Sequence, residues 1–190
     1  TLVPSMLATI ARNLARKNSE GRLFEYARVY IPESLPLTKL PQEKNRLSIA
    51  AFGPSEDFFT LKGTIENLFD RLHLGKRASF VREKVSYLHP GRSAAIMIGD
   101  VKVGLAGEVH PDMLEKMDAT VRVYVAEIDF DLLFDLLCGK VMFSPVSKFP
   151  SVERDLALVC DVNTENAFIE KLIAERGGKN LVSIKLFDVY

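Results

Sequence analysis

The side chains that could do chemistry are few and scattered. There are three histidines. His73 sits between Leu72 and Leu74 at the end of an apolar periodic run. His89 opens His89-Pro90-Gly91-Arg92, and His110 follows Gly107-Glu108-Val109. A turn of the first kind could offer a guanidinium and backbone N–H groups to a phosphate or carboxylate. No phosphate-loop pattern of Lys and Ser/Thr surrounds it, which favours a packed turn with Arg92 in a salt bridge. Glu108 and His110 are alternate residues, which share a face on a strand. Metal binding or acid/base chemistry would need a third ligand or a nucleophile, and none accompanies them, so a structural role is expected. Ser93 has no GxSxG elbow and no evident base. Gly104 and Gly107 belong to a strand pattern, not to a strand-to-helix dinucleotide loop. Cys138 and Cys160 lack any CxxC or Cys/His neighbour. Two reduced, at least partly buried thiols of a cytoplasmic protein are expected. No catalytic, cofactor-binding or metal-ligating set emerges.

The basic residues are the other candidates. Arg12, Arg16, Lys17 and Arg22 lie near one helix end, and Lys148, Arg154 and Lys185 lie in the last quarter of the chain. These seven could touch RNA phosphates, and solvated faces explain them equally well. Lys and Arg total 25, as do Asp and Glu, so the formal net charge is zero. RNA affinity is therefore not spread across the whole chain, although a local patch remains open. No apolar run approaches the roughly 20 residues that span a bilayer, so no membrane partner is expected. The opening Thr1-Leu2-Val3-Pro4 has no initiator Met and no signal-peptide pattern, and reads as a cut from a longer chain.

The elements that must position these residues follow from periodicity. The chain of 190 residues, 47% hydrophobic, can bury one substantial core, or one core and a small second unit. Pro4 and Ser5 open a helix carrying Leu7, Ile10, Ala11 and Leu14, broken at Gly21. Leu23 to Ile31 is a strand in which Phe24, Tyr26, Arg28 and Tyr30 alternate against Glu25, Ala27 and Val29. Pro32, Pro36 and Pro41 mark a loop, and residues 46–53 a strand. Asp57 caps a helix to about Leu72, with Phe58, Leu61, Ile65, Leu68 and Phe69 on one face. Strands are expected at 80–87, 94–98 and 101–109, with a hairpin turn at Gly99-Asp100. A short helix from Pro111, a strand at 121–128 and an apolar helix at 129–137 follow. This order predicts a mostly antiparallel sheet with packed helices, an α+β fold. After a boundary at 140–150 marked by Pro145 and Pro150, the pattern restarts. A strand at 156–161, a helix at 167–176 ended by Gly177-Gly178, and a strand at 181–189 make the first half of a ferredoxin-like unit. A half-unit has an uncovered edge and an incomplete core.

Several segments resemble one family. Leu23-Phe24-Glu25-Tyr26-Ala27-Arg28-Val29-Tyr30 is similar to the LFEIGRVF strand of bacterial-type phenylalanyl-tRNA synthetase β subunits. Asp57-Phe58-Phe59-Thr60-Leu61-Lys62-Gly63 resembles the family's DFFDLKG helix start. Leu88-His89-Pro90-Gly91-Arg92-Ser93-Ala94 and Gly104-Leu105-Ala106-Gly107-Glu108-Val109-His110-Pro111 resemble two further signatures. The segment from Ser147 through Lys148-Phe149-Pro150 to Ala157 resembles the opening of the anticodon-binding ferredoxin-fold domain, and Leu186-Phe187-Asp188-Val189-Tyr190 a strand of it. The matches keep the family's order over essentially the whole chain.

The resemblance implies a class II aminoacyl-tRNA synthetase-like antiparallel sheet over residues 1–145. It is a catalytic-like module without catalysis, followed over 146–190 by a truncated ferredoxin-like β-α-β unit. It further implies an α subunit that holds the site for ATP, Mg²⁺ and phenylalanine, phenylalanine tRNA as a partner, a heterotetramer of two α and two β chains, and a cytoplasmic location. Class II enzymes hold the ATP α-phosphate with an arginine after the motif 2 strand, and Ile31 stands there in this chain. The second arginine, at the start of the motif 3 helix, falls on Leu132. Phosphoryl and adenylyl chemistry relies on such cations, and Asp129 and Asp131 would repel a triphosphate. The fragment is therefore expected to carry no cofactor and no active site of its own, with Lys148, Arg154 and Lys185 as tRNA contacts. An active class II-type adenylating ligase would need the missing arginines. An amino-acid-binding regulatory module would need a complete second ferredoxin-like half.

Overall fold

A computed structural model describes residues 1–137 and 148–189. The chain divides into two compact units, Thr1–Met142 and Phe143–Tyr190.

The first unit is built on one antiparallel sheet. Its strands are β1 (Gly21–Ile31), β2 (Gln42–Phe52), β3 (Ala78–Arg82), β4 (Leu88–Ile98), β5 (Val101–Val109) and β6 (Val123–Asp129), in the order β1-β2-β6-β5-β4-β3. Among the described residues four α-helices accompany them: α1 (Val3–Ala15), α2 (Phe58–Arg71), α3 (Pro111–Glu115) and α4 (Phe130–Asp135). The antiparallel sheet and packed helices expected from periodicity are present.

Each face of the sheet buries a separate core. On one face α2 and α4 lie over Ile96, Ala106, Ala126 and Ile128, and Leu61, Ile65 and Phe69 of α2 are fully buried. The spacing of those three residues puts them on one helical stripe. Asp57 holds the start of α2 by a reciprocal cap. Its carboxylate accepts the Thr60 N–H at 2.7 Å, and Thr60 Oγ1 accepts the Asp57 N–H at 3.0 Å. On the opposite face Val3, Met6, Leu7 and Ile10 of α1 pack with Ala50, Phe52, Val123 and Val125. Pro4 lies in the first turn of α1, where its missing N–H costs nothing.

Two sequence expectations need correction here. The strand expected at 80–87 stops at Arg82. Ser93 Oγ donates to the Glu83 carbonyl at 2.6 Å, and the Leu88 N–H turns back to Val85 at 3.0 Å. His89-Pro90-Gly91-Arg92 is part of β4, across a register shift between Leu88 and Ser93. The Gly99-Asp100 hairpin turn is present, with Gly99 at φ +61°, a left-handed conformation that glycine adopts without strain.

In the second unit, helix α5 (Asn166–Gly177) forms where a helix was expected and ends at Gly178, φ +67°. The segments 156–161 and 181–189 are not strands, contrary to expectation. In a split β-α-β unit the two strands are not neighbours, and each needs a strand from elsewhere in the fold to complete its ladder. Residues 148–189 hold no such partner strand. Leu156, Val159, Phe168, Val182 and Phe187 are accordingly exposed. Cys160 is also exposed, against the expectation of a partly buried thiol, because its segment has no layer to sink into. Cys138 and most of the 140–150 boundary lie outside the described residues.

Candidate functional site

Ile31 and Leu132, the positions at which the resemblance calls for cations, lie at the end of β1 and just after the β6–α4 junction. Ile31 closes β1, pairs with Gln42 and is 41% exposed. Leu132 packs against the core beneath α4. Neither presents a charge. The carboxylates beside them are occupied structurally. Asp129 caps α4 by accepting the Leu132 N–H at 3.1 Å, and it pairs with Arg46 of β2 at 3.2 Å. Asp131 accepts the Asn45 N–H at 2.8 Å and the Asn45 side-chain amide at 2.7 Å. These two hydrogen bonds, the side-chain one first, hold the Asp131 carboxyl below its ordinary range.

The next residue of β6 on the same face is closed off too. Glu127 Oε2 accepts the Leu2 N–H at 2.6 Å and the Thr1 hydroxyl at 2.7 Å. A cleft of about 270 Å³ remains, lined by Arg46, Tyr87, Lys102, Gly104, Glu127 and Asp129. Burial first, and the charges of Glu127 and Glu83 next, push the Tyr87 phenol up. The donor set does not fit a triphosphate with its metal. The cation of the cleft nearest α4, Arg46, is spent on Asp129. Among the described residues no three His, Cys, Asp or Glu side chains gather as a metal site.

The pair Glu108 and His110 resolves into two structural roles. Glu108 is buried and accepts from Arg92 at 2.8 Å, with Arg122 at 4.0 Å. His110 caps α3, its Nδ1 accepting the Asp112 N–H at 3.3 Å. Arg92 is thus in a salt bridge, as its surroundings in sequence suggested. Its partner was not readable, because the register shift in β4 hides which residue of β5 it faces.

The basic residues near α1 take different partners. Arg12 folds back on its own helix, donating to the Ala8 carbonyl and to Thr9 Oγ1. Arg16 and Lys17 are exposed. Arg22 pairs with Glu56 at 2.7 Å. That hydrogen bond is the main cause holding the Glu56 carboxyl below its ordinary range. A depressed carboxylate adds stability above its unfolded pKa and loses it as pH falls through its folded one. Acidification to below the usual carboxylate range is therefore expected to lower the melting temperature. Glu56→Gln should flatten that dependence, as thermal melts across a pH series would show. An unchanged pH profile in the variant would mean that the pair contributes nothing.

Lys148, Arg154 and Lys185 are exposed in the second unit. Arg154 donates to the Glu153 carbonyl at 3.4 Å. Among the described residues no hydrogen bond or ion pair joins any two of the three.

Comparison with known proteins places both units. Residues 1–130 match the family model for the phenylalanyl-tRNA synthetase β chain CLM domain, and residues 147–190 match the ferredoxin-fold anticodon-binding domain. The phenylalanine–tRNA ligase β subunit of Clostridium tetani is 40% identical over 191 residues, covering 100% of this chain and 24% of that protein. The corresponding subunit of Clostridium acetobutylicum is 39% identical with the same coverage. That of Bacillus subtilis is 34% identical over 201 residues, covering 100% of this chain and 25% of its own. The chain spans about a quarter of the length of these curated relatives. With both units matched in order and relatives aligned along its full length, the chain belongs to the phenylalanyl-tRNA synthetase β-chain family.

Proposed function

We propose that this chain is a non-catalytic part of phenylalanine–tRNA ligase, the enzyme that joins phenylalanine to its tRNA using ATP and Mg²⁺. In this reading residues 1–145 are a class II-like scaffold for the catalytic α subunit, and residues 146–190 belong to the anticodon-binding domain. The assembly is a cytoplasmic heterotetramer of two α and two β chains. One observation carries the loss of catalysis. Where adenylation needs two arginines the chain has Ile31 and Leu132, and the neighbouring carboxylates are consumed in holding α4 to β2. A cation-poor site cannot stabilise charge developing on a phosphate.

Lys148, Arg154 and Lys185 are the proposed tRNA contacts. In the intact ligase, replacing all three by Gln is expected to raise KM for tRNA by about tenfold, the order expected from lost phosphate contacts, with kcat kept. Steady-state aminoacylation separates the two constants. An unchanged KM would remove these residues from the interface.

A further inference from the structure

The far end of the sheet, away from the positions of Ile31 and Leu132, carries an arrangement that the function above does not use. Arg22, Ala51, Tyr124 and Glu108 form one cross-strand row over β1, β2, β6 and β5. Arg92 of β4 joins it through Glu108 at 2.8 Å, and Arg122 approaches the same carboxylate at 4.0 Å. Arg22 is anchored on Glu56 at 2.7 Å. The side chains of the two anchoring acids are only 8% and 5% exposed, whereas those of Arg22, Arg92 and Arg122 are 58%, 44% and 65% exposed. Acids lie below and cations above. Arg82, one row further along on the same face, is exposed and has no ion pair among the described residues.

This arrangement has a physical consequence. Burying a carboxylate is costly unless it is paired, so Glu56 and Glu108 hold their arginines in fixed positions. A guanidinium has five donors, and one bond to a carboxylate leaves most of them facing outward. Three arginines share two acids, so the row keeps surplus positive charge in a chain whose net charge is zero. Strands are spaced by roughly 4.8 Å, so the row spans about 19 Å from β1 to β4. The residues between the cations, Ala51 and Tyr124, are buried. A protein-binding surface centres on exposed apolar anchors; none lies between these cations, and the exposed aromatic nearest along β1 is Phe24, in the adjoining row. A line of guanidiniums held on carboxylates, with no exposed apolar side chain between them, fits a repeating anion.

We infer that Arg22, Arg92 and Arg122, flanked by Arg82, form a docking row for the sugar–phosphate backbone of RNA, made of residues other than those of the anticodon-binding unit. The inference rests on the reading of the chain as part of a tRNA ligase, and extends it to a second RNA contact on the class II-like unit. Recognition is of phosphates and carries no base specificity.

The test is the salt dependence of binding between the intact ligase and a phenylalanine tRNA transcript, measured by filter binding. Each arginine that neutralises a phosphate contributes about one unit to the slope of log affinity against log salt. Arg82→Gln with Arg122→Gln leaves both buried acids paired, and is expected to lower the slope by about two and weaken binding uniformly across tRNA sequences. Arg122→Lys alone should keep the slope. The Lys148, Arg154 and Lys185 triple variant serves as the comparison. If that variant lowers the slope and the arginine variant does not, the row is not an RNA contact, while the ligase reading stands. If the arginine variant instead weakens association with the α subunit at unchanged RNA slope, the row is a protein contact and the inference fails. Loss of tRNA binding in the unmodified ligase would overturn both.

Discussion

Gly104→Val is expected to destabilise the first unit by about 3 kcal/mol, the upper end of what overpacking usually costs. Gly104 lies on β5 opposite Ile128 of β6. A Cβ there would stand 2.3 Å from the Glu127 carbonyl oxygen and 3.1 Å from Ile128 Cα. Both are backbone atoms of a central strand, so no rotamer change relieves the clash. β5 would have to move away from β6, loosening the pairing that joins the two halves of the sheet. Gly63 supplies the opposite sign. It sits in α2 with nothing within 4 Å of its would-be Cβ, so Gly63→Ala should add about 0.5–1 kcal/mol through helix propensity. Urea denaturation of the two variants gives both numbers. Equal and small effects would mean that β5 and β6 are not packed as described.

Phe69→Ala has the largest expected effect on the α2 face. Phe69 is fully buried with Leu61, Ile65 and Ile96 around it. Deleting such a ring costs about 3–5 kcal/mol from lost transfer energy and the cavity left behind. Total domain stability is typically about 5–15 kcal/mol, so the variant should be close to unfolding at physiological temperature. Phe59, ten residues earlier on the same helix, is 72% exposed. Phe59→Ala should change stability by no more than about 0.5 kcal/mol. The contrast tests which stripe of α2 faces the sheet. If Phe59→Ala were the more damaging, the helix would be rotated from the orientation described.

Local patterns made α2 legible. The Asp57 cap and the repeat of Leu61, Ile65 and Phe69 lie within one helix, and periodicity alone predicts them. The alternation in β1 was equally plain, but the outcome is unusual: Phe24 and Tyr26 lie on the α2 face beside Ile49 and Leu47, yet they and Tyr30 are exposed. β1 is an edge strand, and among the described residues Tyr26 has an aromatic partner, Phe130, at 4.8 Å. Hidden features depend on strand order or register. The Asn45–Asp131 bonds join residues 86 apart and require β2 to neighbour β6. The Arg92–Glu108 pair requires the register across an irregular β4. In the second unit the alternation at 156–161 and 181–189 did not become strands, because a strand needs a neighbour to pair with and residues 148–189 hold none.

The central claim is that the class II-like unit has lost its adenylation chemistry. ATP–pyrophosphate exchange in the presence of Mg²⁺ and phenylalanine, measured with this chain alone and again with the α subunit added, tests it directly. No exchange is expected from the chain alone, and exchange is expected once α is present. Exchange by the chain alone would contradict it, and would mean that Ile31, Leu132 and the Asp129–Arg46 pair conceal a working site.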